Sequence, residues 1–87
     1  MKTVTKKIKS EFFEAILSGK KNYELRLNDF DIQEGDTLIL VEHDEQRNLT
    51  GRKIEKIVSY VGKFKMDELY WSKEEIQEKG LQIISLK

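Results

Sequence analysis

The sequence predicts an α+β fold, a small, curled and mainly antiparallel β-barrel with two short helices at its edges. Two segments have apolar side chains at helical spacing, and several others alternate or run apolar as strands do. Few residues separate the central strands, which favours antiparallel pairing. The 87 residues suffice for one modest core, so residues 1–87 are treated as a single domain.

The first elements are a strand and a helix. Residues 4–9 alternate, which predicts an edge strand whose lysines discourage unwanted pairing. Ser10 is a favourable N-cap, and the apolar residues after it recur at helical spacing. We therefore expect a helix over residues 11–18 that ends at Gly19.

Two further strands are predicted in the middle of the chain. The period changes to two over residues 22–27, which puts Tyr23 on the side facing the core and Glu24 on the other. The run TLILV, residues 37–41, is apolar on both faces. It is therefore expected to be a central, covered strand, reached through a turn at Gly35.

The second half of the chain predicts a long strand, a helix and a closing strand. Residues 52–62 form the long strand, but its apolar residues change from even positions (Ile54) to odd ones (Ile57). A β-bulge near residues 55–57 would return these side chains to one face and let the sheet curl. The capping box SKEE, which begins at Ser72, opens a helix that Gly80 ends. The apolar run LQIISL, residues 81–86, predicts the last strand.

Composition excludes several classes of site. There is no cysteine and only one histidine, His43, so a thiolate site and a multi-histidine metal site are both impossible. The chain has no glycine-rich phosphate loop and no nucleophile elbow, and we expect no metal and no cofactor. No apolar run approaches the ~20 residues of a membrane span, which favours a soluble cytoplasmic protein.

Charge does not by itself point to a polyanionic partner. Lys and Arg number 16, as do Asp and Glu, so the net charge gives no indication of nucleic acid. His43 lies in a polar, acidic loop, where it is either a solvated side chain or a ligand contact.

The residues of a candidate binding site lie close together in the run GKKNYELR, residues 19–26. In a strand, Glu24 and Arg26 would project from one face roughly 6.5–7 Å apart, with Lys21 just before them. Lys21 and Arg26 could hold a phosphate while Glu24 accepts a hydrogen bond from an amine or hydroxyl. The same residues also fit a solvent-facing strand whose ion pair contributes at most ~1 kcal/mol.

This run fits the pattern G-x-K-x-x-E-x-R and resembles the signature of the ASCH superfamily, small domains with a PUA-like β-barrel. The chain is similar to a compact bacterial and phage branch of that superfamily. The resemblance extends over EFFEAILSGKK, IQEGDTLILVEHD, LTGRKIEKIVSYV and GLQIISL, and it is weakest over residues 63–79.

The resemblance implies a cleft that binds RNA or a modified nucleoside or nucleotide. No membrane partner is expected. Lys21, Glu24 and Arg26 would line the cleft, and Gly19 would permit the tight exit from the helix.

The resemblance also implies an alternative, a hydrolase acting on RNA or on an acylated nucleoside, because the superfamily includes acetylcytidine amidohydrolases. In that case Lys21 would activate the nucleophile and Glu24 would move a proton. Those enzymes have threonine where this chain has Glu24, and they need a further acid. The acidic candidates in the weakly matching region are Glu68, Glu74 and Glu75.

Two other features are candidates for RNA contacts. Tyr70 and Trp71 lie in a polar stretch, and Trp71 either stacks on a base, worth ~1–3 kcal/mol, or closes the open end of a small core. Arg52 and Lys53 begin the long strand and either contact an RNA backbone or are solvated strand-end charges. Binding is the favoured interpretation, with the hydrolase as its alternative.

Overall fold

A computed structural model describes residues 1–86 and shows an open three-stranded sheet with two short helices. The strand order is β1-β2-β3, with β1 parallel to β2 and β2 antiparallel to β3. The elements, in chain order, are β1 (Thr3–Lys9), α1 (Ser10–Leu17), β2 (Thr37–His43), β3 (Leu49–Ile57), a short 3-10 helix (Met66–Glu68) and α2 (Lys73–Lys79).

The core lies between α1 and one face of the sheet. Side chains alternate along β1 and β2, so every second residue faces α1 and the residues between them face away. Leu38 and Ile54 are partly buried and extend the core along the sheet. Its fully buried apolar members are Ile8, Phe13, Ile16 and Leu40.

The predicted barrel is wrong, because the sheet has three strands and is open at both edges. Residues 22–27 and 81–86 were predicted as strands, and neither segment forms one. In the first, polar side chains bond to one another in place of a strand ladder. The second segment pairs with neither edge of the sheet, and its apolar side chains stay exposed. A high strand propensity does not by itself place a segment beside a strand with which it can pair.

The expectation of antiparallel pairing is right for β2 and β3 and wrong for β1 and β2. A short turn joins β2 to β3, and it leaves no room for a crossover. The connection from β1 to β2 contains α1 and residues 19–26, which carry the G-x-K-x-x-E-x-R motif. It is therefore long enough for β1 to return parallel to β2.

The irregularity in strand pairing lies in β2 and not in β3. The pairing register shifts between Val41 and His43, whereas the bulge was expected near residues 55–57. β3 ends at Ile57 and does not continue to residue 62. The next residue, Val58, exchanges backbone hydrogen bonds of 2.8 Å with Gly35 and Asp36 in the turn before β2. The point in residues 52–62 where the apolar positions change from one face to the other is therefore the end of the strand.

The predicted ends of α2 are confirmed, and the start of α1 differs. The Ser72 hydroxyl accepts from the Glu75 N–H at 3.1 Å, and the Glu75 carboxylate accepts from the Ser72 N–H at 3.0 Å. In α1 the N-cap is Lys9, and Ser10 is the first helical residue. The Ser10 hydroxyl instead donates to the His43 carbonyl at 3.0 Å, so Ser10 joins α1 to the end of β2.

Two kinds of feature are absent from the part of the chain that the structure describes. Within residues 1–86 no helix has the length and apolar character needed to cross a membrane. Over the same residues, no group of three or more histidine, aspartate or glutamate side chains is placed to hold a metal ion.

Candidate functional site

The three polar residues of the motif lie together just beyond the end of α1. The Glu24 carboxylate accepts from Lys21 Nζ at 3.1 Å and from Arg26 Nε at 2.7 Å. Arg26 Nη2 lies 2.6 Å from the same Glu24 oxygen that Nε contacts. The side chains of Lys21 and Glu24 are 13% and 12% exposed, and that of Arg26 is 29% exposed. One carboxylate thus joins two half-buried cations, and the trio carries one excess positive charge.

The end of α1 sets the position of Lys21. Gly19 has φ of 83°, a left-handed conformation that favours glycine. Its N–H donates to the Ile16 carbonyl at 3.1 Å, and the Lys21 N–H donates to the Ala15 carbonyl at 2.9 Å. A β-carbon at Gly19 would meet nothing within 4 Å, so the need for glycine is conformational.

Aromatic rings surround the Lys21 ammonium. Its Nζ lies 4.8 Å from the ring centroid of Phe12 and 5.0 Å from that of Tyr23, within the range of cation–π attraction. Tyr23, expected in the core, is exposed. The segment is therefore oriented with its charged residues inward, since Glu24 and Arg26 are half-buried while Leu25 is exposed.

Two contacts attach this segment to β1. Arg26 Nη2 donates to the Lys7 carbonyl, so the guanidinium bridges the motif and the strand. Further along, Lys6 Nζ lies 3.9 Å from the ring centroid of Phe30. Side-chain contacts thus position the motif in the absence of a strand ladder.

The trio lines a groove of about 760 Å³, which we call the central groove. Its lining comes from residues 21–28, Phe30 and Ile32, from Leu38 and Leu40 of β2, from Ile16 of α1 and from residues 56–66. The volume falls in the range of roughly 300–1,000 Å³ that small-molecule sites occupy. Four aromatic side chains also line it: Tyr23, Phe30, Tyr60 and Phe64.

Arg52, a predicted RNA contact, is bonded to acids on β2 and α1. Its Nε and Nη2 each donate to the Glu42 carboxylate at 2.8 Å, and Nη2 also donates to Glu14. The guanidinium carbon lies 4.8 Å from the ring centroid of Phe13. Arg52 is not among the described residues that line the central groove, so the structure does not bring it to the trio.

Trp71, the other predicted contact, also lies outside the described lining of the central groove. It is exposed, and its ring meets that of Tyr70 edge to face, with centroids 6.1 Å apart. Three of the predicted residues, Lys21, Glu24 and Arg26, are thus brought together, while Arg52 and Trp71 are not.

Glu42, a buried acid with two kinds of hydrogen-bond partner, was not among the residues predicted from the sequence. Arg52 first, and then the Thr50 hydroxyl at 2.6 Å, hold the pKa of Glu42 at about 2, below its ordinary value of 4.5. A signal was present, because Glu42 continues the alternation of Leu38 and Leu40 and therefore faces the core side of β2. The contacts of Arg52 with Glu42 and Glu14 join the end of β2 to β3 and to α1.

We expect the Glu42 pair to stabilise the fold above pH 4.5 and to lose this effect as the pH falls towards 2. Because the pKa of Glu42 is depressed in the folded protein, the unfolded chain takes up the proton first in this window, which favours unfolding. The difference in urea midpoint between wild type and Glu42→Gln should therefore be widest above pH 4.5 and shrink below it.

The control for this titration is Glu45→Gln, which changes an exposed glutamate in the β2–β3 turn. Hydrogen bonds from the backbone N–H groups of Lys2 and Gln33 also lower the pKa of Asp36, so every variant should lose some stability in acid. A wild-type advantage over Glu42→Gln that stays constant from pH 6 to pH 3 would contradict the assignment.

The groove residues that follow β3 were not predicted from the sequence either. Lys63, Phe64 and Lys65 alternate base and aromatic ring, and all three line the central groove together with Tyr60. Residues 52–62 were expected to lie in a strand, and the resemblance was weakest over residues 63–79. The base–aromatic–base run was the available signal.

Comparison with known proteins identifies the family. Residues 4–71 match the family described as "Domain of unknown function (DUF3850)". The chain belongs to this family. The DUF3850 match contains β2, β3, all but the first residue of β1, the motif and the residues that line the central groove, and it ends before α2.

This DUF3850 chain is also similar to a phage protein. It is 42% identical over 55 residues to the "Uncharacterized 12.9 kDa protein in GpA 3'region" of Escherichia phage P2, which covers 63% of this chain and 50% of that protein. The chain thus spans about half the length of the curated relative that it matches. No solved structure matches the chain. The function of this DUF3850 domain therefore has to be argued from its site.

Proposed function

We propose that the protein binds single-stranded RNA or a modified nucleotide in the central groove. The observation that carries this proposal is that Lys21, Glu24 and Arg26 meet on the lining of a nucleotide-sized groove that also contains aromatic rings. Cationic side chains bind phosphate and carbonyl oxygens, and aromatic rings stack on bases. The resemblance of residues 19–26 to the ASCH signature supports the same class of ligand.

The hydrogen-bond inventory of the trio leaves donors for a ligand. An ammonium has three N–H donors and a guanidinium five. In the contacts made within residues 1–86, Lys21 uses one donor on Glu24, while Arg26 uses its Nε and Nη2 groups on Glu24 and Lys7. Two donors on Lys21 and the two of Arg26 Nη1 remain. Glu24 fixes both cations in place, so little further ordering is needed on binding.

The hydrolase alternative has weaker support, because two of the three candidate second acids cap helices. The Glu68 carboxylate accepts from the Lys65 N–H at 3.0 Å, and that of Glu75 accepts from the Ser72 N–H at 3.0 Å. Neither residue, nor Glu74, belongs to the described lining of the central groove. Glu24 itself is bonded to both cations. We therefore propose binding without turnover.

Replacing either cation should weaken binding while the fold persists. Lys21→Met and Arg26→Met each remove charge-assisted hydrogen bonds of about 1.5–3 kcal/mol, so we expect a loss of affinity of about tenfold or more. The matched control is Lys20→Met, since Lys20 is the exposed neighbour in the same motif and lies outside the described groove lining.

The measurement is an NMR and thermal-shift titration with nucleosides, acylated cytidines and short RNAs, followed by chromatography of each mixture. An intact ligand that shifts the signals of Lys21 and Arg26 is the expected result. A chemically altered ligand would replace the proposal with the hydrolase. Equal weakening by Lys20→Met, or unfolding of the Lys21 and Arg26 variants, would count against a binding role for the trio.

A further inference from the structure

We infer that residues 56–66 form a second part of the binding site, which contacts several phosphates and bases of a single-stranded oligonucleotide. This inference rests on the proposed function and deepens it, because it names an oligonucleotide and not an isolated nucleoside as the ligand. It depends on the charge, the exposure and the aromatic content of this stretch of the groove.

The central groove is far more basic than the chain as a whole. The chain has 16 basic and 16 acidic residues. The described lining of the groove contains one carboxylate, that of Glu24, against five cationic side chains. A concave surface lined by one sign of charge raises the local concentration of oppositely charged ligands. The five cations are Lys21, Arg26, Lys56, Lys63 and Lys65.

Three of these lysines are separate from the trio. Lys56, Lys63 and Lys65 are all exposed, and no salt bridge within residues 1–86 joins any of them to an acid. In the β2–β3 register Lys56 stands opposite Leu38, another groove residue, so it belongs to the sheet face that lines the groove. The pKa of Asp31 is lowered mainly by its hydrogen bond from Lys2 and to a smaller extent by the Lys63 charge, so Lys63 lies near one acid outside the lining. The three ammonium groups form no ion pair with a carboxylate of the described residues and are therefore open to an anionic ligand in the groove.

Exposed aromatic rings alternate with these lysines. Tyr60 and Phe64 line the groove but remain 81% and 57% exposed, and Phe64 stands between Lys63 and Lys65. A β-carbon at Gly62 would come within 3.3 Å of the Tyr60 ring, so glycine allows that ring to lie against the backbone. Two rings are thus presented to the groove with their surfaces largely uncovered.

A single strand of nucleic acid matches this arrangement. Each nucleotide offers one phosphate and one base face, and proteins hold single strands by combining cations along the backbone with aromatic rings under the bases. A nucleoside has no phosphate and would leave the three lysines without a partner. The trio alone has one excess charge, whereas the trio and the lysines together suit several phosphates.

The test compares the wild-type chain with two triple variants by fluorescence anisotropy, using a labelled uridine hexaribonucleotide over a range of KCl concentrations. One variant combines Lys56→Ala, Lys63→Ala and Lys65→Ala. The charge-matched control combines Lys9→Ala, Lys73→Ala and Lys79→Ala, three exposed residues outside the described groove lining. Thermal melting of all three proteins verifies that they are folded.

We expect the groove variant to bind the hexamer about tenfold or more weakly and to lower the slope of log K against log salt by about 2, since each phosphate contact on a single strand contributes ~0.7. The control should change the affinity by less than about twofold. A deoxyuridine hexamer separates RNA from DNA: weaker binding than the ribo form identifies RNA, and equal binding identifies single strands of either kind.

Other outcomes would overturn the inference. Equal affinity for cytidine and for the hexamer, or an unchanged salt slope in the groove variant, would refute it while leaving the proposed function intact. Failure of the wild-type chain to bind any nucleoside or oligonucleotide would refute both. Tighter binding of a hexaglutamate peptide than of the hexamer would make the groove a site for acidic peptides and would also refute both.

Discussion

Phe13→Ala is expected to lower the free energy of unfolding by about 3–5 kcal/mol, the largest effect of any substitution considered. Phe13 is 2% exposed and is one of the two largest fully buried side chains. It packs with Ile8, Ile16 and Leu40, and the Arg52 guanidinium lies over its ring. Because a small domain has a total stability of about 5–15 kcal/mol, this loss would leave the fold marginal.

Phe12→Ala is the matched control, because it removes the same side chain from the adjacent position. Phe12 is 41% exposed and contacts the Lys21 ammonium, so its loss should cost about 1 kcal/mol. Urea denaturation followed by circular dichroism measures both. Adjacent residues of a helix point about 100° apart, so a larger effect at Phe12 would show that α1 packs on the sheet through a different face.

The second largest effect is expected at Glu24. Glu24→Ala should lower the free energy of unfolding by about 2 kcal/mol, because it leaves Lys21 and Arg26 as neighbouring, half-buried cations without their shared acceptor. A double-mutant cycle of Glu24→Gln with Arg26→Gln isolates the pair. We expect a coupling free energy of about 1–2 kcal/mol, above that of a solvated ion pair.

The Lys2–Asp31 pair serves as the comparison within the same protein. Its two atoms are 2.8 Å apart, but the side chains are 44% and 65% exposed. A cycle at this pair should give a coupling free energy of less than about 1 kcal/mol. If the coupling at Glu24–Arg26 is no larger, then burial does not strengthen the trio, and the motif is a solvated set of charges.

Those parts of the fold that depend on local residue chemistry could be predicted from the sequence. The box SKEE and the glycine after it fix the ends of α2, and a polar turn fixes the antiparallel pairing of β2 and β3. The open sheet could not be predicted, because an alternating pattern says only that side chains face opposite ways. It does not establish that residues 22–27 or 81–86 have a neighbouring strand to pair with.

The candidate site was predictable to a similar extent. Spacing along the chain was enough to bring Lys21, Glu24 and Arg26 together, because they lie within six residues. The partner of Arg52 was not predictable, since Glu42 reaches it only through the register of two strands. Tyr60 and Lys63 likewise become groove residues only because the chain leaves the sheet after Ile57.

The parallel pairing of β1 with β2 places the motif inside the longest loop closed within the sheet. Pairing Thr3 with Thr37 joins residues roughly 34 positions apart, against about six for the β2–β3 turn, and the difference costs about 1.5 kcal/mol of chain entropy. Lys21 to Arg26 lie inside that loop, and Arg26 bonds the Lys7 carbonyl of β1. The Arg26–Lys7 bond forms only when this segment lies against β1, so a molecule bound by the trio would also stabilise the first strand in its place.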